Sequence, residues 1–92
     1  MDWTQIPAAR IKEIVADSNR FAEANWEPTS VSTQWIQSRN EEQRAVLKAV
    51  RDLGTSGPGT VTTQKADLMA AEPSGALFNL LATYARVLET WT

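Results

Sequence analysis

The sequence predicts an all-α fold, a small four- or five-helix bundle in which a long apolar C-terminal helix packs centrally. Apolar side chains recur at spacings of three and four through most of the chain. No run of alternating β-branched residues supports a strand. The stretch from Ser74 to Trp91 is apolar on most of its sides, with only Arg86 and Glu89 charged. A helix of that kind must be surrounded by protein, its own or another's.

The first helix is expected over about 7–25. Pro7 stands where a missing N–H costs nothing, with Thr4 or Ile6 near the cap. Ile11, Ile14, Val15, Ser18, Phe21, Ala22, Asn25 and Trp26 share one face, and Arg10, Lys12, Glu13, Asp17 and Glu23 take the other. Glu27-Pro28 ends it. Thr29 to Thr33 is a hydroxyl-rich turn with several candidate caps. A short helix near 31–37 follows, then a break at Ser38–Asn40 and a main helix over 40–53; one continuous helix is the alternative. Two capping-box signatures, Ser38 with Glu41 and Asn40 with Gln43, favour the break. Gly54 is read as the C-terminal stop. Residues 54–62 form a loop, 63–71 a short helix with Ala66, Leu68, Met69 and Ala70 apolar, and Glu72-Pro73-Ser74-Gly75 a second turn before the last helix.

Ninety-two residues predict one domain, 1–92, which buries roughly 60–65% of the surface its unfolded chain exposes. Nine Lys plus Arg stand against eleven Asp plus Glu, for a net charge of −2. That balance disfavours nucleic acid, whose binding draws on neutralised phosphates. Seven of the cations and eight of the acids precede Gly54, so the first half is expected to supply solvated faces and the second half core or interface. Neither Cys nor His occurs. The usual ligands of zinc and the commonest general base near neutral pH are therefore missing, and no metal, cofactor or catalytic residue is assigned. The opening residues lack a secretory pattern, and Asn79, Thr83, Arg86 and Glu89 interrupt the 74–91 stretch too often for a membrane span. A soluble, cytoplasmic protein without membrane contact is expected.

The glycine-rich segment Gly54–Thr60 invites comparison with a phosphate-binding loop, but no Lys follows Gly59 and a helix precedes it. A helix end plus linker is the plainer reading. Residues 44–88 have the element order of a helix-turn-helix, with Arg44, Lys48, Arg51 and Lys65 as phosphate contacts. The helix that would enter the groove, however, opens Ser74-Gly75-Ala76-Leu77-Phe78-Asn79-Leu80 without a cation, unlike helices that read a major groove. Glu41-Glu42 is a carboxylate pair whose members point apart on a helix. An enzyme is not expected.

Four tryptophans are many for this length. Trp26 and Trp91 fall on apolar faces and are assigned to the core, Trp3 to a contact ahead of the first helix. Trp35, beside the break, is the one expected at the surface, where aromatic anchors dominate binding. The function the residues favour is a non-enzymatic protein-interaction module, an adaptor, inhibitor or immunity or accessory factor. It would bury about 600–1,000 Å² against another protein or a second copy of itself. Trp35, Ile36 and Arg39 are the expected contacts beside the first turn, with Phe78, Ala82 and Ala85 on the outer face of the last helix. The alternative is a helix-turn-helix-like DNA-binding regulator using residues 44–88.

Overall fold

Asp2 accepts a hydrogen bond from the Thr4 N–H at 3.0 Å and so opens a 3-10 turn over Trp3–Gln5. In the computed structural model, which describes residues 2–56, 68 and 70–90, five α-helices follow. They are α1 (Ala8–Ala24), α2 (Ser30–Gln37), α3 (Glu41–Ser56), α4 (Gly75–Thr83) and α5 (Ala85–Thr90). Among the described residues there is no strand. α4 packs against both α1 and α3, α1 also meets α3, and α5 lies on α3.

The packing follows from the apolar spacing. α1 buries Ile11, Ile14, Val15, Ser18 and Ala22, a stripe at intervals of three and four, and Ser18 keeps its hydroxyl satisfied by donating to the Ile14 carbonyl at 2.7 Å. α3 contributes Ala45, Val46, Leu47, Ala49 and Val50, and the C-terminal pair contributes Leu77, Leu80, Leu81, Tyr84 and Leu88. The α1–α3 contact is tied at its edge by Arg10, which donates to Glu42 of α3 as well as to Glu13. The Glu42 carboxylate holds the Arg10 guanidinium above its ordinary pKa.

Capping sets where the helices start. Thr29 and Ser32 form a reciprocal capping box at α2, and Asn40 and Gln43 form another at α3, with bonds of 2.8 and 3.0 Å. The break at Ser38–Asn40 is real, and two helices stand where one was the alternative. Ser38 serves the end of α2 instead of the start of α3: its hydroxyl donates to the Trp35 carbonyl at 2.8 Å.

Three expectations are corrected. Gly54 does not end its helix, which continues to Ser56. A Cβ there would meet Phe78 Cδ1 at 2.6 Å, so the missing side chain makes room for an aromatic ring of α4. Nor is the C-terminal stretch one long helix. It divides at Tyr84 (φ −102°, ψ 20°), although neither Gly nor Pro stands there. The Tyr84 ring is buried, and its hydroxyl lies 2.9 Å from Ser32 Oγ, 3.0 Å from Thr33 Oγ1 and 3.4 Å from the Thr29 carbonyl oxygen. This side chain is held by α2 at the point where the axis breaks. Finally, the stretch is covered along one side only: Asn79, Ala82, Thr83, Arg86, Glu89 and Thr90 are exposed. The polar line read from the sequence is a solvent face. No helix among the described residues is long and apolar enough to cross a membrane. The expected 63–71 helix falls largely outside the described residues; Leu68 is helical and buried, and Ala70 is helical and exposed.

The turn ahead of α4 is fixed from α1. Glu72 adopts φ 55°, a left-handed conformation unusual for a residue with a side chain. Asn19 donates to the Glu72 carbonyl at 3.0 Å and accepts from the Ser74 N–H at 2.9 Å. Ser74 then caps α4 by accepting from the Leu77 N–H.

Two stability predictions follow from this packing. Leu81→Ala removes a fully buried side chain and is expected to cost about 2–5 kcal/mol in urea unfolding. A cost under about 0.5 kcal/mol, normal for surface sites, would contradict its burial. Tyr84→Phe keeps the ring and deletes the hydroxyl, and is expected to cost about 0.5–1.5 kcal/mol because its hydrogen bonds to Ser32, Thr33 and the Thr29 carbonyl are lost. Tyr84→Phe unfolding like the parent chain would show that the hydroxyl does not hold α2.

Candidate functional site

The six contact residues expected from the sequence do not form one surface. Ile36 is fully buried and belongs to the core. Trp35 is half-buried: Phe21 of α1 stacks on it with centroids 4.3 Å apart and ring planes 7° from parallel. The Arg39 guanidinium lies 4.6 Å from the Trp35 ring centroid. Arg39 also donates from Nε to the Trp35 carbonyl at 3.0 Å and from Nη2 to Ser38 Oγ at 3.0 Å. Burial pulls the Arg39 pKa down, while the charge of Asp17 pulls it up. An arginine remains charged through such a shift. Trp35 therefore already has an aromatic and a cationic partner in its own chain, and this cluster fastens α2 to α1.

Phe78 and Ala82 lie elsewhere. With Arg51, Gly54 and Asn79 they line a groove of about 230 Å³ between α3 and α4. Phe78 is half-buried over Gly54, Ala82 is exposed, and Ala85 is half-buried. The Ala85 carbonyl accepts from Arg51 Nη1 at 3.3 Å. Arg51 is also paired with Asp52 at 2.9 Å and with Glu89 at 3.8 Å, so its charge is largely answered within the chain. That engagement weakens the helix-turn-helix alternative at one of its four phosphate contacts. Lys65, another of the four, lies outside the described residues, as does most of the Gly54–Thr60 segment. The first turn of α4 presents Gly75, Ala76 and Leu77, with Leu77 buried and no cation among them.

The feature that the periodicity misplaced is Trp26. It is 61% exposed, and Val31 is 54% exposed. Both stand at the corner joining α1 to α2. Trp26 was expected on the apolar face of α1, but the helix ends at Ala24 and Asn25 takes φ −135°, ψ 48°, which turns the chain off the helical path before Trp26. The Asn25 N–H and side-chain amide both donate to the Phe21 carbonyl, at 2.9 and 3.2 Å, and so fix that exit. The signal was present in Glu27-Pro28: proline disfavours helix at the residue before it, so the period need not reach Trp26. Ala24, Asn25, Trp26, Glu27 and Thr29 line an open concavity of about 320 Å³. The turn beside it is tied by hydrogen bonds. Ser32 donates to the Glu27 carbonyl at 2.9 Å, and the Thr29–Ser32 capping box closes the turn.

Chemically this corner offers an indole, a carboxylate, an amide and a hydroxyl. Among the described residues no cluster of three or more carboxylates is arranged to hold a metal ion.

A double-mutant cycle distinguishes the structural role of Trp35 from a binding role. Trp35→Ala and Arg39→Ala are expected to destabilise the protein with a coupling of about 0.5–1 kcal/mol, the size of an exposed cation–π pair. Additive effects in thermal unfolding would mean that the guanidinium does not hold the ring. Comparison of the chain with known protein families, curated proteins and solved structures finds no match.

Proposed function

We propose that this protein is a helical protein-interaction module, an adaptor, inhibitor or accessory factor, whose contact surface is the α1–α2 corner around Trp26 and Val31. The carrying observation is the exposure of Trp26 at 61% beside Val31 at 54%, the two large hydrophobic side chains that stand in water among the described residues. A Trp placed in water leaves a large rigid apolar area uncovered, and such side chains dominate the affinity of interfaces when a partner covers them. The concavity beside the indole gives a partner side chain a seat, and the capped turn behind it limits the ordering cost of binding. Trp35, assigned to binding by its position in the sequence, supports the surface from behind through its stack on Phe21.

The partner is another polypeptide or a second copy of the chain, and one experiment addresses both. A photoreactive amino acid is placed at Val31, with the same residue at exposed Lys12 of α1 as the control, and the protein is irradiated in the cells that make it. Adducts of discrete mass are expected from position 31 and not from position 12, and Trp26→Ala should abolish them. Because Trp26 is exposed, that substitution should change stability by only about 0.5 kcal/mol. Adducts that survive Trp26→Ala, or that form equally from position 12, would overturn the assignment.

A further inference from the structure

The Trp26 corner carries a charge pattern that selects among partners. Glu27 lines the concavity, and Glu23 stands in the last turn of α1 three residues before Trp26. Both side chains are exposed, and neither forms an ion pair or hydrogen bond with a described residue. The last turn of α1 contains no cation, and the sequence has no Lys or Arg between Arg20 and Arg39. Each of those two is occupied within the chain, Arg20 by Asp17 and Arg39 by Trp35. The carboxyl end of a helix adds a partial negative charge of its own, which a neighbouring cation would ordinarily complement. Here α1 ends in a carboxylate and an exposed indole. This differs from the rest of α1, where Arg10 and Arg20 each meet a carboxylate.

We propose that the corner takes a basic, partly apolar segment of another protein. One apolar side chain of that segment sits in the concavity against Trp26, and flanking Lys or Arg side chains meet Glu23, Glu27 and the end of α1. An indole face attracts cations by its quadrupole, so the same ring serves both halves of such a segment. Complementary charge then sets partner choice and speeds encounter more than it adds affinity. This inference rests on the interaction reading above and adds the chemistry of the partner.

Selection from a random-peptide phage library against the intact protein tests it, with Trp26→Ala as the counter-target. Enriched peptides are expected to carry Lys or Arg beside an apolar residue and to be poor in Asp and Glu. Their affinity for the Glu23→Gln, Glu27→Gln double variant should fall by about threefold to tenfold, the size of two exposed ion pairs. That difference should shrink as salt is raised. Trp26-dependent peptides without basic residues, or peptides indifferent to the glutamine variant, would overturn the basic partner and leave the interaction surface standing. Absence of any Trp26-dependent enrichment would remove both. Light scattering covers the remaining occupant: a dimer that Trp26→Ala dissolves would place a second copy on the corner and overturn the inference.

Discussion

The hydroxyl of Tyr84 is the constraint on which the arrangement of the helices depends. Tyr84 stands between α4 and α5, its ring is buried, and its oxygen reaches Ser32, Thr33 and the Thr29 carbonyl at the first turn of α2. A buried phenol without a partner is costly, so the ring can occupy this place only when the α2 turn is there to receive it. The dependence runs the other way too. α2 has eight residues, too few to be stable alone, and it owes its position to side-chain anchors: Ile36 in the core, Trp35 on Phe21, and this polar cluster. Locking α2 locks the turn that precedes it, and that turn presents Trp26 beside Val31 in the first turn of α2.

A second clamp works at the opposite end of α4. Asn19 of α1 binds both sides of the Glu72–Ser74 turn, which compensates for a left-handed residue that carries a side chain. Phe78 then lies over Gly54 of α3. α4 is thus held at its start by Asn19 of α1, along its length by packing that includes Phe78 over Gly54 of α3, and at its end by α2 through Tyr84. Its buried leucines fill the space between α1 and α3, while its outer line of Asn79, Ala82 and Thr83 meets water. An apolar helix in a small protein need not be enclosed if small and polar residues take the open side.

Much of this was legible in the sequence because it is local. The α1 stripe, the Asn40–Gln43 box and the separation of α2 from α3 follow from spacing and capping, which act within one helical turn. What the sequence hid depends on distant partners. Gly54 reads as a helix stop until Phe78, twenty-four residues on, is seen to need its missing side chain. The division at Tyr84 carries no Gly or Pro to announce it, because its causes sit in α2. Trp35 and Trp26 exchanged roles for a related reason. The ring beside a break was covered by a stack from another helix, and the ring on an apparent apolar face lay two residues past the end of its helix. The six residues assigned to contact were therefore split between the core, the α1–α2 fastening, the α3–α4 groove and, for Ala85, the start of α5.

The exchange of those two tryptophans bears on how the surface works. Phe21, Trp35 and Arg39 form a layered cluster at the junction of α1 and α2, and it stiffens the junction whose outer corner is Trp26. An exposed anchor on a mobile loop would lose rotational freedom on binding, and that loss subtracts from affinity. Here the backbone on both sides of Trp26 is already tied, by Asn25 to the Phe21 carbonyl and by Ser32 to the Glu27 carbonyl. Two of the side chains responsible for that stiffness (Phe21 and Trp35) are half-buried and line no part of the concavity that receives the partner in the proposed mode. Their contribution to binding would be indirect, through the fixed direction in which the indole points. The aromatic residues of this small chain thus divide the work between them: one pair holds the corner rigid so that a third can be left in water.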